Sequence, residues 1–119
     1  MHRFQDLKVY QKALLFSTII RRTTKSFPKE ELFVLSAQFK RAADSIVLNI
    51  AEGAGNSSKK EFVKFLDYSI RSGFECIGCA DIALENKFIE KLVYDSITQS
   101  ANEIIAMTYG LQKSLNGKN

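Results

Sequence analysis

Apolar positions recur with helical spacing along the whole chain. In the first segment Val9, Ala13, Phe16 and Ile20 step by four, three and four residues. Asp6 stands where an N-cap would, and Ser26-Phe27-Pro28 ends the segment. Pro28 suits the start of a second helix, where its missing N–H costs nothing. Glu30 and Glu31 then fall in that helix's first turn, where the helix dipole favours negative charge. The second segment runs through Leu32, Leu35, Phe39, Ala42, Ile46 and Ile50, and Gly53-Ala54-Gly55-Asn56 stops it with a left-handed glycine cap.

Ser57 or Ser58 caps a third helix, with Glu61 completing a capping box behind Ser58. Phe62, Phe65, Ser69, Cys76, Ala80 and Ala83 share one face of it. After a short connection at Asn86 and Lys87 come Ile89, Val93, Ile97, Ala101, Ile104, Met107 or Thr108, Leu111 and Leu115. The tail from Asn116 to Asn119 reads as frayed. No period of two competes with this pattern. It predicts four helices over about residues 6–26, 28–53, 58–85 and 88–115. Short turns between long helices make antiparallel neighbours, so the expected fold is an all-α, up-down-up-down four-helix bundle filling one domain. The length of 119 residues leaves no room for a second core of ordinary size.

Charge adds an asymmetry. The net charge is +4 and the sequence pI is about 9.1. Residues 1–41 hold nine Lys and Arg against three Asp and Glu, a net of +6. Residues 42–71 balance at four and four, and residues 72–119 carry four against six. The basic excess therefore sits in the first third. Lys8, Lys12, Arg22 and Lys25 share a broad face of the first helix, and Arg3, Arg21 and Lys29 lie on it or near its ends. Such a stripe is either a solvated helix face or a track for phosphates, with Tyr10 available to stack on a base.

What is missing excludes several chemistries. His2 is the single histidine, so a catalytic triad or a multi-histidine metal site would have to use a residue beside the chain start, where mobility is usual. Glu75, Glu85, Glu90 and Glu103 have no histidine three positions on, as a di-iron bundle would require. Cys76-Ile77-Gly78-Cys79 is a CxxC inside a helix, without the βαβ setting of a redox pair, and it supplies two of four zinc ligands. Small core residues are its plain reading. Gly53-Ala54-Gly55 follows a helix and lacks the Gly-Lys-Ser ending of a phosphate loop. No cofactor, no metal site and no enzymatic activity are expected. With no apolar run long enough to span a bilayer and no secretory leader, the expected location is cytoplasmic.

The second helix carries the most informative polar pattern. On a helical wheel Arg41, Glu52, Ser45, Gln38 and Asn49 follow one another in that order within an arc of about 80°. The apolar set lies beyond them, roughly 100–180° from Arg41. Five polar residues thus border the core face. Glu52 stands near a helix C-terminus, where the dipole disfavours a carboxylate, which points to a partner: Arg41 or a cation from another helix. A register-fixing network or subunit contact is one reading of the stripe; a ligand or nucleic-acid role is the other.

Here the chain resembles the four-helix-bundle family encoded by intervening sequences in bacterial 23S ribosomal RNA genes. The resemblance rests on Phe4, Asp6-Leu7, Val9-Tyr10 and Lys12-Ala13, on Phe27-Pro28 and Glu31, and on Leu35, Gln38, Arg41-Ala42-Ala43, Ser45-Ile46 and Asn49-Ile50-Ala51-Glu52-Gly53. It continues in Ser58, Glu61-Phe62, Phe65-Leu66, Ser72 and Glu75, and spans about residues 4–110. Two positions depart from the family pattern: Tyr10 stands where Trp is common, and Arg71 where glycine precedes the serine.

The resemblance implies a bundle assembling into a ring-like homopentamer with no known enzymatic activity. Some members carry ribosomal-protein labels. A related branch, the accessory protein of diversity-generating retroelements, is a basic pentameric bundle that binds nucleic acid and a reverse transcriptase. The functional expectation is a non-enzymatic, oligomeric accessory protein that contacts RNA or DNA phosphates through Arg3, Lys8, Lys12, Arg21, Arg22 and Lys25. The alternative is a scaffold ring that binds a partner protein through Gln38, Arg41, Ser45, Asn49 and Glu52, with Ser72 and Glu75 of the third helix counted in the same interface or polar network.

Overall fold

The computed structural model describes residues 3–56 and 58–117. His2, Ser57 and the last two residues of the expected frayed tail lie outside the described residues. Four helices form the bundle: α1 (Lys8–Thr24), α2 (Leu35–Ala54), α3 (Lys59–Glu85) and α4 (Lys91–Leu115). Each packs on its neighbours in sequence, and α1 closes the ring against α4. The body measures 44 × 24 × 20 Å. The fold is the expected all-α four-helix bundle.

Its core is the helical stripe of the sequence. Phe16, Ile20, Phe39, Ile46, Ile50, Leu66 and Ile97 are almost fully buried. Burying side chains of this kind contributes roughly 1.5–3 kcal/mol each. Thr108 rather than Met107 points inward, and its hydroxyl donates to the Ile104 carbonyl at 2.7 Å. Cys76 and Cys79 are free, buried thiols. Loss of hydration pushes both thiols up, Cys79 to about 11, so neither ionises near neutral pH.

The helix ends differ from the sequence expectation in four places. The first helix starts at Lys8, because Phe4–Asp6 forms a 3-10 turn and Leu7 is the cap; Asp6 caps nothing. The second starts at Leu35 and not near Pro28. Pro28 instead opens a 3-10 turn at Lys29–Glu31, and Leu32-Phe33-Val34 interrupts the helical path, with Val34 at φ −118° and ψ −99°. Leu32 is consequently half exposed, and Phe33 is 88% exposed. The fourth starts at Lys91, leaving Ile89 in the connection and Val93 outside the core.

Gly53 is the last difference. It lies inside α2 in ordinary helical conformation, and the residue that ends α2, Gly55, has φ −76°. No left-handed glycine cap forms there. Gly53 serves a close approach: a Cβ on it would come 2.8 Å from Phe65 Cβ and 3.3 Å from the Phe62 carbonyl oxygen. The left-handed positions at helix ends are Gly117, φ 72°, after α4, and Lys87, φ 62°, after α3. There Phe88 N–H donates to the Ala83 carbonyl at 2.8 Å, which closes a Schellman turn. Ser58 caps α3 as expected, its hydroxyl accepting from Glu61 N–H at 3.2 Å.

Candidate functional site

The polar stripe of α2 converges on one groove. Arg41, Ser45, Asn49 and Glu52 line it together with Asp44, Leu48 and, from α3, Glu75; its volume is about 600 Å³. Ser45 is its hub. The Ser72 hydroxyl and Asn49 Nδ2 each donate to Ser45 Oγ at 2.9 Å, and Asn49 Nδ2 also reaches the Ser45 carbonyl at 2.8 Å. Ser69 adds a bond to the Ile46 carbonyl at 3.0 Å. Small residues let α2 and α3 come together here, and their hydroxyls satisfy one another once water is gone. Gln38 donates to Glu75 at 3.2 Å further along.

Arg41 and Glu52 do not complete this network. They are 11 positions apart on one helix, about 16 Å along its axis, so they cannot pair. No ion pair to either is present among the described residues. Both stay exposed beside Leu48, which is 63% exposed. The cationic partner expected for Glu52 is therefore not found within the described chain.

The basic face of α1 divides in a similar way. Arg21 forks onto Asp44 of α2 with two bonds of 2.6 and 2.7 Å. Ser17 Oγ also donates to Asp44 at 2.7 Å. The guanidinium holds the Asp44 carboxyl below its ordinary value against partial burial, and Asp44 in turn raises Arg21. Lys12 pairs with Glu103 of α4 at 2.5 Å, and Arg3 lies 3.6 Å from Asp6. Lys8, Arg22 and Lys25 are exposed and have no carboxylate partner among the described residues. Tyr10 is half-buried, its ring packed edge-on against Phe4 at 5.1 Å. Arg71 is exposed and lies 5.7 Å from the Tyr68 ring centre, so the large cation in the glycine's place meets no packed helix. The close glycine is two positions later. A Cβ on Gly73 would come 2.7 Å from Ile105 Cγ1.

A second concavity lies where α1 meets the start of α2. Arg21, Lys25, Lys29 and Lys40 surround a cleft of about 410 Å³, with Thr24, Phe27, Pro28, Leu32 and Ser36 as walls and floor. No carboxylate among the described residues lines it. Lys40 and Asp44 are the residues that sequence reasoning passed over. Lys40 lies about 100° from Arg41 on the wheel, outside the stripe, and Asp44 lies beyond the far edge of the apolar set. Only the register of α1 against α2 brings them to Arg21.

No group of three or more His, Cys, Asp or Glu able to hold a metal is present among the described residues. No described helix is long and apolar enough to cross a membrane.

Comparison with known proteins follows the same outline. The profile of the 23S rRNA-intervening sequence protein family matches residues 5–110. A solved structure from Bacteroides thetaiotaomicron, described as a protein of unknown function from the S23 ribosomal protein family, superimposes with a TM-score of 0.79 at 24% identity. The match covers 88% of this chain and 98% of that one. At that identity the likeness concerns the fold alone. No curated protein matches the chain.

Proposed function

The chain belongs to the 23S rRNA-intervening sequence protein family, and we propose that it acts as a non-enzymatic, cytoplasmic accessory protein that binds RNA or DNA as an oligomer. It engages phosphates and carries no base specificity. One observation carries this reading: Lys8, Arg22 and Lys25 lie exposed along α1 without carboxylate partners among the described residues. Lys12 and Arg21 flank that stretch on opposite sides of α1, toward α4 and α2, and Arg3 precedes the helix; they share their charge with Glu103, Asp44 and Asp6. The homopentamer implied by the family resemblance would multiply the net +4 to about +20, enough for a strong field around a modestly charged subunit.

Fluorescence anisotropy of a labelled single strand, titrated at two salt concentrations, tests the reading. Affinity should fall steeply with salt through counterion release, and replacing Lys8, Arg22 and Lys25 by Gln should reduce the slope by about 0.7 for each phosphate-bound cation removed. Absence of binding by the assembled protein at about 50 mM salt would sink it.

The scaffold reading has its own support. Arg41, Glu52 and Leu48 stay open in the groove beside a satisfied Ser45 network. A subunit contact would cover them. Glu52→Ala should then lower the oligomer mass measured by light scattering while leaving the helical signal intact. An unchanged mass counts against this second reading.

A further inference from the structure

The cleft between α1 and the start of α2 joins two properties that a simple phosphate track does not need. Its rim is cationic, with Lys25, Lys29 and Lys40 beside Arg21 and no lining carboxylate. Its floor is apolar, with Phe27, Pro28 and Leu32. Phe27 is held in place by tilted contacts to Phe39 and Phe88, at 6.5 and 5.6 Å between ring centres. Leu32 is half exposed because the chain breaks its helical path there. Ser36, 2% exposed, forms part of the wall.

Size and charge narrow the occupant. A volume of about 410 Å³ exceeds what an inorganic phosphate fills and falls in the range of small-molecule sites, roughly 300–1,000 Å³. Arg21 is already bound to Asp44, and Lys40 feels that carboxylate without bonding to it, so the three lysines are the cations with no bonded partner among the described residues. A lysine ammonium binds phosphate as a point charge that can follow the ligand. An apolar floor under three such ammonium groups suits a flat, partly apolar body that carries a phosphate.

We propose that this cleft is a nucleotide site: a phosphomonoester held by Lys25, Lys29 and Lys40, with the base or sugar over Phe27, Pro28 and Leu32. The source is either a free mononucleotide or the phosphorylated end of a strand. The second source rests on the nucleic-acid reading above; the site itself does not. With a strand end in the cleft, one terminus would be anchored and the rest left to the cations of the α1 face.

Isothermal titration of the full chain with AMP, and anisotropy with one oligonucleotide bearing a 5′-phosphate or a 5′-hydroxyl, test it. AMP should bind, adenosine should not, and Lys29→Gln with Lys40→Gln should weaken AMP by about tenfold or more. The exposed Lys113→Gln on α4 should leave AMP binding unchanged. A 5′-phosphate preference that disappears in the Lys29/Lys40 variant assigns the strand end as the source. Binding of AMP with no binding of either strand keeps the cleft and removes the nucleic-acid reading. Salt-dependent strand binding that ignores the 5′-phosphate, with no AMP binding, overturns the cleft and leaves the α1 face standing. Circular dichroism of each variant separates lost binding from lost structure. Should the double variant lose its helical signal, the single Lys29→Gln, at an exposed residue of the 3-10 turn, carries the same test.

Discussion

Lys40 and Arg41 are adjacent in sequence and line different concavities. One step of about 100° around α2 separates a cleft with no carboxylate from a groove with three, Asp44, Glu52 and Glu75. The groove satisfies much of its polarity internally: Ser72, Asn49 and Gln38 all donate within it or at its edge. The cleft leaves three lysines without a bonded partner among the described residues. Polar residues that satisfy one another fix how two helices meet. Like charges that bond to no counter-charge are stable on a surface through water, salt or a ligand. Substitutions in the groove should therefore be read in stability, and substitutions in the cleft in binding.

The sharpest way to break that contrast is at Gly53, where α2 meets α3. Gly53→Ala should destabilise the bundle by about 2 kcal/mol, because Phe65 Cβ and the Phe62 carbonyl cannot yield as a flexible side chain would. Gly78→Ala is the control. Nothing lies within 4 Å of a Cβ there, so thermal unfolding should show a gain of up to about 1 kcal/mol from helix propensity. Equal effects at the two glycines would mean that the α2–α3 seam is not tight.

A smaller effect is expected at Ser45. Ser45→Ala removes the acceptor of both Ser72 and Asn49 and should cost about 1–2 kcal/mol in a denaturant titration. No loss would show that water replaces the hub and that the groove is as unsatisfied as the cleft.

Asp44→Asn tests the boundary between the two regions. The pair with Arg21 is partly exposed, so its loss should cost only about 1 kcal/mol. Asp44 has a depressed pKa in the folded state. Its contribution is complete above the ordinary carboxylate value, near 3.9, and is lost as pH falls through the lower folded value. The variant should consequently lose part of the wild-type decline in stability below about pH 4. Freeing Arg21 should also strengthen polyanion binding, by about fivefold at most, which corresponds to roughly 1 kcal/mol. Weaker binding would place Arg21 outside the anion site. Smallest of all, Glu52→Ala should change the stability of an isolated subunit by less than about 0.5 kcal/mol, since it has no ion-pair partner within the described chain.

The expectations that failed share a physical cause. Val9, Ala13, Phe16 and Ile20, and likewise Leu35, Phe39, Ala42, Ile46 and Ile50, are buried as their spacing requires, because one helix face meets the core whatever lies around it. The Ser58 cap was equally legible, being local. Pro28 misled because a proline at a helix start and a proline before a 3-10 turn look alike in sequence. Gly53 misled because a glycine near a helix end reads as a cap, whereas here it admits a neighbouring helix.

The candidate site divides along the same line. The six cations of the first segment were visible as a cluster, but the carboxylates that meet half of them, in the 3-10 turn, α2 and α4, were not. Spacing along the chain determined the helices, the core face, the polar stripe and the basic excess, since each depends on residues within a few turns of one another. Only the packed bundle decided which charges are free, which hydroxyls meet at Ser45, and that Lys40 joins Lys25 and Lys29 across a turn. Those outcomes depend on the register of one helix against the next, and the register follows from the shape of the connections and the close approaches at Gly53 and Gly73, which no periodicity encodes.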